Sequence, residues 1–231
     1  KLKAINNYYL FILSNAQDEN KSKKYAEDGL KYFSLIIEKY NKAMQLNEAY
    51  SYIAEIFLRT ERLDKALSSY KKAMKLTSDN EAMVPILVGI AEIYGKMKKY
   101  NKSKKYFAEA LEKSKGINDI PMSKIYFDMG IAAYENDYFQ DAIKYFLDAL
   151  RLKDYANYLK ANKEYEIDIH WYLSTIAYKI QDYALLLVHL NQLLIMMDEE
   201  HCYFANTLLL FGHYYLINNE FEKASAYYYR V

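Results

Sequence analysis

The side chains able to do chemistry are few and widely spaced. Four His (His170, His189, His201 and His213) and one Cys, Cys202, are the only imidazoles and thiol in 231 residues. His201 and Cys202 are neighbours in sequence, whereas two ligands on one helix face stand three or four residues apart. A metal centre is therefore not expected. His170 falls at a packing position of the repeat described below, where a satisfied buried imidazole is the better reading than a ligand. His189 has no partner in view. The sequence contains no Gly-rich phosphate loop, no G-x-S-x-G, no H-E-x-x-H and no paired Cys. Neither catalysis nor a cofactor is expected.

Lys96 to Lys105 (KMKKYNKSKK) places six Lys in ten residues around Tyr100. Basic residues interleaved with an aromatic could meet a nucleic acid, and an acidic protein partner would suit them equally well. A solvated turn between helices accounts for them better, because Tyr100 belongs to the repeat core. Direct nucleic-acid binding is not expected. The whole chain carries 31 Lys+Arg against 30 Asp+Glu, a net charge of +1, which supplies no field for steering a polyanion or an anionic membrane. Arg occurs only at 59, 62, 151 and 230, so bidentate forks are scarce.

The elements that hold these residues are helices. Gly and Pro number 6 and 2, far below the usual share of about 12%, which argues against sandwiches, barrels and Rossmann-type folds. The longest apolar run, Ala184 to Val188, is much shorter than the ~20 residues of a bilayer span. Leu10 to Leu13 is too short for a signal peptide core, and the lone Cys leans the reading towards the cytoplasm. Lys1 in place of Met suggests an excised piece.

Five segments repeat one pattern. A large apolar residue (Ile53, Ile90, Met129, Leu173, Phe211) is followed by a small one (Ala54, Ala91, Gly130, Ser174, Gly212), which lets a second helix come close. Three residues on stands an aromatic or Ala (Phe57, Tyr94, Ala133, Ala177, Tyr215). A polar turn follows, and Leu63, Tyr100, Phe139, Tyr183 or Phe221 opens a second helix. On it a small residue (Ala66, Ser103, Ala142, Ala224), an aromatic four later (Tyr70, Phe107, Phe146, Tyr228) and Ala (Ala73, Ala110, Ala149) form a stripe at i, i+4, i+7. The fourth copy has Leu186 and Leu193 instead, which predicts a wider helix spacing there. The leading residues stand 37, 39, 44 and 38 apart, with the surplus in Gly116 to Pro121 and Lys153 to Glu166.

This pattern resembles the tetratricopeptide repeat. The Pro that ends that family's second helix is replaced by Ser78, Lys115, Asp154 and Glu199. The resemblance implies an all-α, right-handed solenoid of antiparallel helix hairpins. Five repeats (47–80, 84–117, 123–156, 167–200 and 205–231) would follow a divergent N-terminal hairpin over 1–46. In that hairpin Leu2 to Leu13 reads as a helix, Asp18 to Lys21 as a loop, and Leu30, Phe33, Ile37, Tyr40 and Met44 as one helical stride. The whole is expected to be one continuous solenoid.

The family's geometry places the first helix of each repeat on a concave groove. Its lining would be Glu55 and Arg59, then Glu92 and Lys96, then Phe127, Asp128, Ile131 and Tyr134, then Trp171, Thr175, Tyr178 and Lys179, and finally Asn206, Leu209 and His213. Aromatic shelves with polar groups suit an extended peptide; packing against the neighbouring repeat, for Trp171 above all, is the lesser alternative. The last repeat, Phe221 to Tyr228 after His213-Tyr214-Tyr215, is similar to the C-terminal repeat of the Rap, NprR and PlcR group of bacterial peptide-pheromone receptors. That resemblance implies a regulatory peptide sensor in bacterial signalling. The alternative is a passive scaffold for a folded protein partner or an oligomer such as a homodimer.

Overall fold

A computed structural model describes residues 2–14, 19–39, 43–117, 121–152 and 163–231. Twelve α-helices occupy them: α1 (Leu2–Ser14), α2 (Glu19–Lys39), α3 (Ala43–Arg59), α4 (Leu63–Leu76), α5 (Asn80–Lys96) and α6 (Tyr100–Ser114), then α7 (Met122–Glu135), α8 (Phe139–Arg151), α9 (Lys163–Lys179), α10 (Tyr183–Met196), α11 (Phe204–Ile217) and α12 (Phe221–Tyr228). No strand occurs among the described residues. The chain divides into two compact units, Lys1–Ile120 and Pro121–Val231, with α1 to α6 in the first and α7 to α12 in the second. Within them consecutive helices pair as antiparallel hairpins.

The apolar stripes account for the pairing. Ala66, Ala73, Ile90, Ala91, Ala110, Ala142, Phe146, Ala149 and Leu173 are fully buried, as are Leu186 and Leu193 of the fourth copy. Gly130 is required by closeness: a Cβ there would stand 2.5 Å from the Phe146 ring of the paired helix, and one on Gly212 would collide with Tyr228 in the same way. Both aromatics hold the same register position in their repeats. Tyr70, at that position in α4, instead lies over Gly89 of α5, so here the contact links one hairpin to the next.

Each of the five repeat hairpins turns by one backbone device. Glu61, Lys98, Asp137, Gln181 and Asn219 all have φ between 57° and 63°, and all stand eight residues after the leading apolar residue. Around each, two bonds close a Schellman motif. Arg62 N–H donates to Phe57 O at 2.8 Å and Glu61 N–H to Leu58 O at 3.1 Å. The other four turns repeat the pair, for example Tyr138 N–H to Ala133 O at 2.9 Å and Asp137 N–H to Tyr134 O at 3.1 Å. The next helix begins without a linker: Arg62, Lys99, Tyr138, Asp182 and Glu220 each accept its first backbone hydrogen bond, at 3.0–3.1 Å. Low Gly content is compatible with five tight turns because polar side chains accept the left-handed conformation.

The N-terminal hairpin departs from the sequence reading in two places. Glu19, Asn20 and Lys21 belong to α2, not to a loop, because Glu and Lys favour helix and an acid suits the first turn. The stride from Leu30 to Met44 spans two helices, since α2 ends at Lys39 and α3 starts at Ala43; Tyr40 lies outside the described residues. So do 118–120 and 153–162, where most of the surplus length between repeats falls.

Candidate functional site

In the first unit Glu55 organises one face of α3. Its Oε1 accepts from Arg59 Nε at 2.7 Å and its Oε2 accepts from the Tyr70 hydroxyl at 2.9 Å. Tyr70 is buried, and burial first, Glu55 second and Glu92 third push its phenol pKa well up. Burial and then Glu55 also raise that of Tyr8 on α1. Glu55, Arg59 and Glu92 therefore form one electrostatic group, to which Tyr8 and Tyr70 were missing from the sequence reading. Lys96, one turn beyond Glu92, is exposed.

In the second unit a row of half-exposed side chains joins three successive first helices. Tyr134 on α7 meets Tyr172 on α9 edge-to-face at 5.1 Å, and Lys179 Nζ stands 4.9 Å from the Tyr134 ring centre and 5.3 Å from that of Phe139. Tyr178, next along α9, reaches α11, with its hydroxyl 3.0 Å from His213 Nδ1. His213 and Lys179 are exposed, Tyr134 and Tyr178 half-buried. Trp171 stacks on Tyr203, which immediately precedes α11, at 4.7 Å and 7°; the Tyr203 hydroxyl donates to Asp168 Oδ1 at 2.9 Å. Burial raises the Asp168 pKa against that hydrogen bond. Trp171 thus packs towards the neighbouring repeat while remaining half-exposed, and Tyr172, Asp168 and Tyr203 are the partners that sequence reasoning missed.

Other groove candidates are placed differently. Asp128 is only 7% exposed, with both carboxylate oxygens accepting from Lys124 Nζ at 2.6–2.7 Å. Phe127 is 6% exposed and packs against Phe146, Tyr165 and Tyr172. Phe127 turns inward because the aromatic layer of this unit crosses its face of α7; Asp128 is buried with its charge met by Lys124. The Thr175 hydroxyl donates to Tyr172 O at 2.8 Å. Asn206 is exposed; Ile131 and Leu209 are half-buried.

The His residues form two separate groups. His170 and His189 are both buried, at 7% and 5% exposure, with Nδ1 atoms 2.8 Å apart. His189 therefore has a partner, contrary to the sequence reading. His201 lies with Nε2 3.2 Å from Glu164 Oε2, and its Nδ1 accepts from Tyr203 N–H at 3.1 Å. Among the described residues no three His, Cys, Asp or Glu side chains could hold a metal ion together. No described helix is long and apolar enough to cross a membrane.

Comparison with known proteins agrees with this architecture. Residues 48–80 and 84–112 match the tetratricopeptide repeat family. Tetratricopeptide repeat protein 21A of Mus musculus is 30% identical over 89 residues, 37% of this chain, and the chain spans only 6% of that protein's length. The apo form of RapI superposes with a TM-score of 0.74 at 15% identity, over 97% of this chain and 62% of RapI. A Rap protein complexed with Competence and Sporulation Factor superposes with a TM-score of 0.66 at 14% identity, over 99% of this chain and 62% of the other. These structural likenesses are likenesses of fold. Residues 48–80 and 84–112 are thus tetratricopeptide repeats, in a chain whose all-helical repeat fold is shared with Rap proteins.

Proposed function

We propose that the chain is a regulatory peptide-binding module, and that an extended peptide lies across the first helices α7, α9 and α11. The observation that carries this reading is the row Tyr134–Lys179 and Tyr178–His213, which ties three successive first helices into one accessible face. Its chemistry suits a backbone. Aromatic rings give flat apolar contact, while the phenol, imidazole and ammonium groups meet peptide C=O and N–H. Glu55, Arg59, Glu92 and Lys96 offer a charged counterpart within the first unit. A Rap protein carries Competence and Sporulation Factor on a related fold, which favours a signalling ligand over a passive scaffold.

Selection of phage-displayed heptapeptides on the whole chain, followed by titration of the enriched peptide, tests this. Lys179→Ala with His213→Ala is expected to weaken binding at least tenfold, roughly 1.4 kcal/mol. Enriched peptides that bind the double variant as tightly as the wild type would remove this face from consideration.

A further inference from the structure

The turn between α5 and α6 and the first two turns of α6 are electrostatically set against their own helix. A helix N-terminus carries partial positive charge and favours acids. The other second helices of the five hairpins obey this: α4 has Asp64, α8 has Asp141 and α12 has Glu222 in the first turn, and α10 has Asp182 at its N-cap accepting from Leu185 N–H at 3.0 Å. The exception is α6. Its N-cap is Lys99, with no side-chain cap bond, and its first turn holds no acid. Lys98, Lys99, Lys102 and Lys105 are all exposed; Lys98 sits in the left-handed turn, and Lys99, Lys102 and Lys105 stand three residues apart, which brings like charges together on one side of the α6 N-terminus.

We infer that this lysine edge is a docking surface for an acidic protein segment, separate from the row on α7, α9 and α11. Lys99 to Lys105 covers about 9 Å along α6, the reach of about three extended residues at ~3.3 Å each, with Lys98 in the turn beside it, so a short run of Asp or Glu matches it. A nucleic acid fits less well. Tyr94 and Tyr100, over which Lys102 and Lys104 sit at 5.5 and 5.9 Å, are only 7% and 5% exposed and have no face free for a base. The edge contains no Arg to grip phosphate as a fork. An acidic segment supplies the negative charge that the α6 N-terminus lacks.

Fluorescent decaglutamate and an oligothymidylate of twenty nucleotides, each titrated against the whole chain at low and physiological salt, test the inference. The wild type is expected to bind decaglutamate more tightly than the oligonucleotide. The variant K98E/K99E/K102E/K105E is expected to lose at least tenfold in affinity. A control with the same charge change, K21E/K23E/K24E/K31E on α2, is expected to lose less than twofold. Tighter binding of the oligonucleotide, equal loss in the control, or no binding of decaglutamate by the wild type would overturn it. The edge variant is also expected to melt above the wild type, since its new acids suit the α6 N-terminus; a melting temperature at or below that of the wild type would count against the inference as well.

Discussion

The Nδ1 atoms of His170 and His189 lie 2.8 Å apart between α9 and α10, with both rings buried. One nitrogen must donate and the other accept, so the accepting ring is neutral, and burial, which lowers the pKa of both rings, keeps the donor neutral as well. His189 Nε2 is buried without a hydrogen-bond partner. An orphaned lone pair is easier to bury than an orphaned N–H, which makes His189 Nδ1–H the donor and His170 Nδ1 the acceptor.

Acidification should act through this pair. Burial, and secondarily His170, lowers the His189 pKa to about 4, and burial lowers that of His170. The unfolded chain protonates these rings near pH 6.5 and the folded chain only at lower pH. Between about pH 4 and 6.5 the unfolded state binds more protons, so the pair makes stability fall as pH falls. Urea unfolding of the His170→Phe, His189→Leu double variant is expected to show a shallower loss of stability than the wild type over this interval. Parallel slopes would contradict the neutral pair.

Gly130 and Gly212 should respond unequally to Ala. Phe146 is fully buried and cannot yield to the new methyl, so Gly130→Ala is expected to cost about 1–3 kcal/mol. Tyr228 is half-exposed near the end of α12 and can move, so Gly212→Ala should cost less. Chemical denaturation of the two variants side by side measures the difference.

The five left-handed turn residues predict a stabilising substitution. Gly at this position removes the Cβ strain, worth about 1–2 kcal/mol, at an entropic cost of about 0.5–1 kcal/mol. Gln181→Gly is therefore expected to raise the melting temperature, and Asn219→Gly to raise it less because Asn already tolerates this conformation. Gln181→Val should lower it. Thermal melts of the three variants check the order.

The hairpins were legible because helix packing writes itself locally: Ile90-Ala91, Tyr94 and the step Ser103, Phe107, Ala110 each lie within one turn or two. Leu63, Tyr100, Phe139, Tyr183 and Phe221, read as openers of the second helices, are their first residues. What the sequence did not disclose depends on facing helices. His170 and His189 are 19 residues apart, and only the register of their hairpin makes them neighbours. Asp128 looked accessible because helical spacing alone does not show which face of α7 is covered; its i−4 neighbour Lys124 was the available sign of a carboxylate already engaged. The α2 start was misread because Asp18 to Lys21 is polar, and polarity marks a helix N-terminus as readily as a loop.

The central claim is that a peptide occupies the face made by α7, α9 and α11. Hydrogen exchange of the whole chain with and without a selected peptide tests it most directly. Slower exchange on peptide addition is expected in segments covering 171–179 and 204–217, with the α4 and α10 backbone unchanged. Protection confined to second helices, or absent from 171–179 at saturating peptide, would contradict the account.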